Sequence, residues 1–468
     1  MRARILAPIL FLATAGAAQA PGLSDSDRAA GARANPQLTA EFGGAYTGPQ
    51  AAYVRAVGQR IAAQSGLAAR AGDYTVTLLN SNANNAFAIP GGYVYVTRQL
   101  VALMNDEAEL AFVMGHEVGH VAARHSQKRQ QTSGLASVLA GLAGAVTGSS
   151  IVGQLAGTGA QMYTLGYSRD QERQADTLGV RYLAGAGYDP AAGADILAAL
   201  GAQTALEARL AGKSPSERAG WTSTHPATGE RVQRVRREAA AMAARSSARA
   251  VNRDAFLDAI DGMIYDDDPS QGVVRGGSFR HPALGIAFDA PAGFALQNSM
   301  AQVTGSRAGA GQFSFAGGRG GDLAAHSDKV WQNAGAAPQP VRNLRINGLD
   351  AAISQTRATT RSGSVDATLV AYRWAPDRIY HLLMIAPAGG GSVFEPLIGS
   401  VRRLAPGEAG DIRPRRIAVV TVGAGDTVQS LSRRMAYDDD RLARFTVLNG
   451  LAADSRLTPG TRVKLVVQ

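Results

Sequence analysis

The sequence has 468 residues, of which 46% are hydrophobic and 18% are charged, so two to four domains of ~100 to 200 residues are expected. It contains no cysteine, which excludes disulfide scaffolds, thiolate zinc sites, iron–sulfur clusters and a lipid-anchored cysteine. The formal net charge is +10, but no basic run has interleaved aromatic residues, so no nucleic-acid partner is predicted.

The first residues have the layout of a secretory signal peptide: a basic start, a short apolar stretch and small residues. We place the cut after Ala17, because a cut after Ala20 would leave Pro21 next to the cleaved bond. Residues 1–17 are therefore predicted to be removed, and the chain is predicted to be exported to a bacterial periplasm.

Residues 18–265 are mostly helical in pattern, with helical spacing at 51–65, 106–125 and 171–186 and two short strand-like runs at 74–79 and 93–97. Residues 130–168 contain no charged residue and are interpreted as a helical hairpin in two apolar pieces, each too short to cross a bilayer. Packing against the domain, covering the active site and peripheral contact with a membrane surface all remain open for this hairpin.

After the acidic run 266–269, interpreted as a linker, residues 266–404 alternate strand-like runs with Gly-rich loops and end in a helical segment, which predicts an α+β accessory domain. Residues 405–416 are predicted to be a second linker. Residues 417–468 are predicted to be a separate small module. The chain is therefore predicted to be an α+β multidomain protein.

Residues 111–121, with the sequence AFVMGHEVGHV, contain an HExxH motif inside an apolar helical pattern. Four residues turn a helix by about 400°, so His116 and His120 lie only about 40° apart and can direct two imidazoles to one ion. Glu117 lies beside them, where it can act as a general base. Two buried structural histidines are the alternative interpretation.

A tetrahedral zinc site needs a third protein ligand and keeps one position for water. Without cysteine, that ligand has to be His, Asp or Glu. Glu172 and Asp176 lie one turn apart on one predicted helix face. We expect Glu172 to bind the metal and Asp176 to accept a hydrogen bond from the outer nitrogen of a ligating histidine. A pair of solvated helix charges is the alternative.

The other histidines receive different predictions. His125 lies about 140° round the helix from His120 and is predicted to face away from the metal. His225 and Arg231 lie outside any apolar stripe, and either could reach the reacting oxygen. The remaining histidines are interpreted as structural: His281, His326 and His381.

Several motifs in order resemble the forty-eighth metallopeptidase family, the gluzincin group of HtpX, BepA and the CAAX prenyl proteases. They are residues 85–97 (NAFAIPGGYVYVT), HEVGH, the pair Glu172 and Asp176, and His225-Pro226 with Arg231. The likeness covers about residues 23–261. It implies a mainly helical zincin-type domain with a small edge sheet, one Zn²⁺ bound by His116, His120 and Glu172, and Glu117 as general base.

The same resemblance implies that Asn85, Ala86, Phe87 and Ala88 form an edge strand against which an extended or unfolded protein substrate lies. It also implies that His225 and Arg231 approach the metal, and that His225 caps the zinc in a resting state. The lack of convincing membrane spans places the chain nearer to the BepA-like branch. It has no helical repeat domain of the BepA kind, so BepA's partners do not carry over.

The C-terminal regions show further resemblances. Residues 266–404 are similar to PsbP-like α+β sandwiches and show no catalytic motif. Residues 417–468 resemble a βααβ LysM module, which implies peptidoglycan glycan strands as a partner. The glycan-binding residues would be those of two loops: Gly425, Asp426, Thr427, Asn449 and Gly450. A module that keeps the fold but binds no glycan is the alternative.

These features favour a periplasmic zinc endopeptidase for misfolded or stalled envelope proteins, tethered to peptidoglycan by its C-terminal module. One alternative is a peptidase that cleaves peptidoglycan cross-links. Another is a non-proteolytic envelope chaperone or scaffold whose zinc is capped by His225.

Overall fold

The structure, a computed structural model, describes residues 22–67, 72–127, 167–210, 221, 225, 228–245, 247, 249–360, 363–405 and 407–468. The predicted signal peptide 1–17 lies outside these ranges, and so does the predicted hairpin 130–168 apart from Tyr167 and Ser168. Within these ranges, every helix is too short or too polar to span a bilayer.

The N-terminal part is mainly helical and carries one small sheet. Its helices are α1 (Asp25–Glu41), α2 (Pro49–Ala62), α3 (Arg98–Leu103), α4 (Glu107–Ala122), α5 (Arg169–Gly185), α6 (Ala192–Leu210), α7 (Gly229–Ala243) and α8 (Arg253–Ile260). Its strands are β1 (Thr75–Leu79), β2 (Ala86–Ile89) and β3 (Tyr93–Thr97), and a short strand β4 (Ile264–Tyr265) follows α8. Strand β3 pairs parallel with β1 and antiparallel with β2, which leaves β2 at the edge of its sheet.

Helix α4, which carries the HExxH motif, lies at the centre of this part. It is apolar on all sides rather than amphipathic, and every residue from Glu107 to His120 is buried. Asp106 caps its N-terminus by accepting a hydrogen bond from the Glu109 amide at 2.9 Å. A helix enclosed in this way holds its side chains in fixed positions, which is what a metal site requires.

The accessory part is α+β, as expected. Its strands are β5 (Val273–Arg275), β6 (Ser278–His281), β7 (Ile286–Asp289), β8 (Ala295–Asn298), β9 (Gln302–Arg307), β10 (Gly311–Arg319), β11 (Arg342–Ile346), β12 (Leu349–Thr360), β13 (Gly363–Ala375), β14 (Arg378–Pro387) and β15 (Arg402–Arg403), and its helices are α9 (Leu323–Asn333) and α10 (Glu395–Ser400). They form a seven-stranded sheet, β11-β12-β13-β14-β10-β9-β8, and a four-stranded sheet, β15-β7-β6-β5. An aromatic core that includes Phe288 and Phe313 joins the two sheets, while Trp331 of α9 packs on the larger sheet with Leu369 and Leu383.

The C-terminal part consists of β16 (Arg415–Thr421), α11 (Val428–Ser432), α12 (Arg441–Asn449) and β17 (Arg462–Val467), in the predicted βααβ order. It is not a separate unit, because β16 pairs with both β17 and β4 of the N-terminal part. Its apolar side chains, among them Phe445 and Leu465, belong to the same core as those of α4. The predicted boundary at 417 therefore falls two residues inside a strand of a shared sheet.

The acidic run Asp266-Asp267-Asp268, interpreted above as a linker, instead forms hydrogen bonds with the N-terminal, accessory and C-terminal parts. Asp267 is only 6% exposed and accepts hydrogen bonds from Asn82 and from the Val274 amide. Asp268 accepts from Asn80, and Asp266 from Tyr437 of the C-terminal part at 2.6 Å. Sequence composition misled the prediction, since consecutive carboxylates resemble a solvated linker when their partners are distant in the chain.

Candidate metal centre

Close packing between α4 and α5 brings the predicted ligands together. A Cβ atom at Gly115 would lie 3.3 Å from the Cα of Gly179, and one at Gly119 would lie 3.2 Å from the carbonyl oxygen of Ala175. Glycine at these positions lets the two helix backbones approach closely. At its N-terminus α5 has a capping box between Ser168 and Gln171, so it begins just before the acidic pair.

His116, His120, Glu172 and His225 each direct one ligand atom to a common point, and these atoms all lie within 4.8 Å of one another. All four side chains are buried. His116 Nε2 lies 3.0 Å from His120 Nε2 and 3.2 Å from His225 Nδ1, and His225 Nδ1 lies 2.7 Å from Glu172 Oε1. The structure thus joins the three predicted ligands with His225.

This donor set fits a zinc ion. Histidine nitrogens and one carboxylate oxygen are ligands that zinc prefers in sites without cysteine. His116 can donate from Nδ1 to Asp176 Oδ1 at 3.0 Å. The lone pair of its Nε2 then faces the other ligands. Glu172 Oε2 is buried and has no hydrogen-bond partner in the described part of the chain, although Arg231 Nη1 forms an ion pair with it at 3.1 Å.

Asp176 takes the predicted place behind a histidine ligand and is held there by two arginines. Arg231 contacts both of its oxygens, at 2.7 and 2.9 Å, and Arg234 contacts one of them. Burial acts to raise the pKa of Asp176, but Arg231 and the hydrogen bond from His116 lower that pKa well below its ordinary range. The carboxylate is therefore ionised and orients His116.

The ligands themselves have shifted pKa values for the same reasons. Burial acts to raise the pKa of Glu172, but the charges and hydrogen bonds of the nearby histidines lower it well below its ordinary range. Burial lowers the pKa of His120 well below its ordinary value, which favours the neutral imidazole that a metal needs. For His116, burial acts to lower the pKa, but the hydrogen bond that it donates to Asp176 and the charge of Glu172 raise the pKa overall.

Glu117, the predicted general base, is 1% exposed and lies beside the ligand group. Its Oε1 accepts a hydrogen bond from the indole Nε1 of Trp221 at 3.1 Å and lies 3.8 Å from His225 Nε2. The Trp221 ring stacks on the imidazole of His225, with ring centroids 4.8 Å apart. Arg231, predicted to approach the metal, contacts the carboxylates of Glu172 and Asp176.

Sequence reasoning missed two residues at this site and one contact behind a ligand, although His125 lies outside the ligand group as predicted. His125 is fully buried, and its Nδ1 lies 2.8 Å from His120 Nδ1, although a continuous helix would turn it away. Helix α4 ends at Ala122, and Arg124 has a φ of 55°, so the chain folds back toward the metal centre. The ring of Tyr167 stacks on His120 at 3.8 Å, and Trp221 covers Glu117. No spacing rule marks Tyr167 or Trp221 in the sequence.

The predicted substrate edge is strand β2, at Ala86–Ile89 rather than 85–88. The Thr97 amide donates to the Asn85 carbonyl at 2.9 Å, and opposite residues of an antiparallel pair alternate between bonded and non-bonded. Main-chain groups at Ala86 and Ala88 therefore face the side of β2 with which no strand of the described residues pairs, and all four residues of β2 are buried. Asn84 faces the same way, and its carbonyl accepts from the Trp221 amide at 2.8 Å.

The predicted glycan-binding residues of the C-terminal part have different surroundings. Gly425 and Thr427 are exposed in the first loop, where Thr427 caps α11, while the half-buried Asp426 accepts a hydrogen bond from the Gly423 amide at 2.8 Å. Asn449 is 7% exposed and bonds to the backbone of Phe445 and Lys464, so its side chain has a structural role. Gly450 faces Asn105, whose side-chain nitrogen would lie 3.5 Å from a Cβ at that position. The second loop therefore lies against the N-terminal part.

The sequence also matches known proteins. Residues 49–239 match the model of peptidase family M48. The chain is 35% identical over 126 residues to the beta-barrel assembly-enhancing protease of Escherichia coli K12, covering 25% of this chain and 26% of that protein. It is 33% identical to the metalloprotease LoiP of the same organism over 155 residues, and 30% identical to the mitochondrial metalloendopeptidase OMA1 of Schizosaccharomyces pombe over 189 residues.

These alignments cover 32% of this chain and 57% of LoiP, and 40% of this chain and 52% of OMA1, so the chain spans about a quarter to just over half of these relatives. The matched range 49–239 contains HExxH, Glu172, Asp176, His225 and Arg231. Residues 49–239 are therefore similar to the peptidase domain of family M48, and the residues that could hold a metal lie within this range.

Proposed function

We propose that this protein is a zinc-dependent endopeptidase that hydrolyses peptide bonds of misfolded or stalled envelope proteins in the periplasm. The observation that carries the proposal is the convergence of His116, His120 and Glu172 on one point, with Glu117 beside them. Relatives that are named as proteases, one of them for beta-barrel assembly, support an envelope substrate.

The chemistry divides between the ion and the chain. A bound zinc ion supplies Lewis acidity, which polarises the scissile carbonyl and lowers the pKa of water to ~7. Glu117 takes the proton of the attacking water and passes it to the leaving amine, a role typically worth ~10²–10⁴-fold in rate. His225 is the candidate donor to the carbonyl oxygen as negative charge develops there.

Substrate recognition in this proposal uses β2, which no strand of the described residues pairs with on its outer side. An extended peptide that pairs with the main chain of Ala86 and Ala88 adds a strand to the sheet, and its backbone supplies most of the contacts. Folded proteins rarely offer a free extended segment, whereas unfolded and stalled ones do. This mode of binding therefore favours misfolded substrates with little dependence on sequence.

We further propose that the C-terminal part binds peptidoglycan glycan strands through the first loop, Gly425 to Thr427. The exposure of Gly425 and Thr427 supports this, whereas the contacts of Asn449 and Gly450 leave the second loop little room to take part. Cosedimentation with purified sacculi tests it, with an Asp426→Ala variant as the control for the loop. Equal recovery of both proteins in the pellet would contradict it.

The test of peptidase function compares Glu117→Gln with the wild type. We expect the variant to retain zinc, measured by inductively coupled plasma mass spectrometry, and to lose casein cleavage. Glu230→Gln, at the exposed start of α7, is the matched control and should cleave normally. Casein cleavage by Glu117→Gln at the wild-type rate would refute the proposal, and client proteins trapped on this variant would identify substrates. New muropeptides from sacculi would instead support a cross-link peptidase.

A second candidate function is a non-proteolytic envelope chaperone or scaffold. The observation that favours it is His225, whose Nδ1 lies 2.7 Å from Glu172 Oε1 among the ligands, where it can cap the metal. In that case His225→Ala gains no casein cleavage. A gain in cleavage by this variant would instead support a peptidase whose resting state is capped.

A further inference from the structure

Trp221 lies beside the candidate metal ligands, between the candidate general base and the residues that precede β2. Its side chain is only 1% exposed. Its backbone is held on both sides, because its amide donates to the Asn84 carbonyl at 2.8 Å and its carbonyl accepts from the His225 amide at 2.8 Å. The indole is therefore attached to the site at a fixed point.

The indole N–H forms a hydrogen bond with Glu117. Trp221 Nε1 donates to Glu117 Oε1 at 3.1 Å, and both side chains are 1% exposed. A buried carboxylate needs such a donor, because a charge without a partner away from water is costly. An indole N–H only donates, so it can orient the carboxylate without competing for the proton that Glu117 has to accept.

This contact makes the two oxygens of Glu117 different. Oε1 accepts from Trp221 and lies 3.8 Å from His225 Nε2. A hydrogen bond to a carboxylate oxygen stabilises the negative charge on that oxygen, which favours proton transfer to the other oxygen, Oε2. The rotation of the Glu117 carboxylate about its last bond is therefore set by Trp221.

The face of the indole holds the plane of His225. The two rings are inclined by only 21°, with their centroids 4.8 Å apart. The guanidinium carbon of Arg231 lies 5.0 Å from the indole centroid, within the range of a cation–π contact, and the His116 ring meets the indole at 63° with centroids 5.5 Å apart. These contacts fix the plane of the indole and so the direction of its N–H.

The acceptor distinguishes Trp221 from the other fully buried tryptophan, Trp331. The Trp331 indole donates to the hydroxyl of Ser354 at 2.8 Å within the core of the accessory part. The Trp221 indole donates instead to the carboxylate that receives a proton in the proposed reaction. A displacement of ~1 Å in an active site can cost ~100-fold in rate, so a contact that fixes this carboxylate affects catalysis.

We propose that Trp221 is a positioning residue of the peptidase reaction, whose indole N–H orients the Glu117 carboxylate and whose ring face orients His225. The inference rests on the proposed peptidase function and deepens it. Trp221 accepts no proton and offers no metal ligand. Its loss should therefore slow the chemical step without changing the affinity for zinc or for substrate.

The kinetic test compares Trp221→Phe with the wild type, both loaded with zinc, on a fluorogenic peptide taken from a casein cleavage site. Phenylalanine keeps a ring that can stack on His225 but removes the N–H, so we expect kcat to fall ~10–100-fold with KM and zinc affinity unchanged. Trp331→Phe is the matched control, because it removes an equally buried indole N–H, and it should keep the wild-type kcat. A wild-type or higher kcat for Trp221→Phe would overturn the proposal. Loss of zinc or of folding in this variant would also overturn it, because either result would show a structural role.

A second measurement does not depend on activity. In zinc-loaded protein labelled with ¹⁵N-tryptophan, each of the three indole N–H groups gives one NMR signal, and Trp221→Phe and Trp331→Phe identify two of them. Glu117→Ala should shift the Trp221 signal and speed its exchange with solvent, while the Trp331 signal stays in place. An unmoved Trp221 signal would overturn the positioning role even if the wild type cleaves casein. A shifted signal in a protein whose wild type cleaves no casein would instead refute the proposed function, and with it any role of Trp221 in catalysis.

Discussion

Replacing Lys464 with methionine is expected to destabilise the metallopeptidase domain, although Lys464 lies in the C-terminal part. The side chain is fully buried, and its Nζ donates to the carbonyl oxygens of Ala102, Leu103 and Met104 at 2.8, 3.1 and 2.5 Å. These carbonyls end α3 immediately before Asp106, the residue that caps the HExxH helix. Methionine keeps the apolar stem but removes all three hydrogen bonds.

The size of the effect follows from the groups left behind. A buried polar group without a partner costs ~1–3 kcal/mol, and removal of one partner from a buried charged pair costs ~3–5 kcal/mol. Burial lowers the pKa of Lys464 and raises that of Glu109, its buried neighbour on α4, so the pair is partly neutral and the cost falls below a simple sum. We therefore expect a loss of about 3 to 5 kcal/mol.

The assay is urea denaturation followed by circular dichroism, combined with hydrogen–deuterium exchange of the α4 amides. We expect a lower midpoint and faster exchange at the start of α4. Lys329→Met, at an exposed position on α9, is the matched control and should stay within about 0.5 kcal/mol of the wild type. The same small change for Lys464→Met, with unaltered exchange at α4, would refute the idea that the C-terminal part supports the catalytic helix.

Three further predictions concern the metal centre and its surroundings. Asp176→Asn weakens the acceptor behind His116 and should lower zinc affinity ~10–100-fold in a competition assay with a chromogenic chelator; unchanged affinity would contradict the orienting role. His125→Ala removes the side chain that contacts His120 Nδ1 and should lower zinc affinity by a similar factor, whereas unaltered affinity would show that this contact does not orient His120. Gly31→Ala should cost ~1–3 kcal/mol by overpacking against the turn after β2, measured by thermal unfolding, and an unchanged midpoint would contradict the close approach.

The parts of the site that the sequence predicts are those that depend on local helical geometry. His116 and His120 are four residues apart on α4, and Glu172 and Asp176 are four residues apart on α5, so each pair shares a face whatever the rest of the chain does. The strand-like run 93–97 matches β3 residue for residue for the same local reason. That the two helices face one another follows only from the resemblance to a family, or from the structure.

The contacts that sequence reasoning missed depend on where elements end and on distant partners. His125 reaches the outer nitrogen of His120 because α4 stops at Ala122, and helix ends are the least certain part of a periodic pattern. Asn449 matches a glycan-binding position in sequence, yet its side chain bonds to the backbone of Lys464. Contacts of this kind join residues far apart in the chain, and no periodicity records them.

The contacts of Trp221 and His225 link three requirements of catalysis. The indole of Trp221 donates to Glu117, the proposed general base, and its backbone amide donates to the Asn84 carbonyl beside the proposed substrate strand β2. His225 lies among the candidate metal ligands. Its position depends on that of Trp221, because its backbone amide donates to the Trp221 carbonyl at 2.8 Å. A peptide strand that pairs along the edge as far as Asn84 competes with Trp221 for the same carbonyl. Trp221 therefore joins the edge of β2, Glu117 and His225 in one connected set of hydrogen bonds.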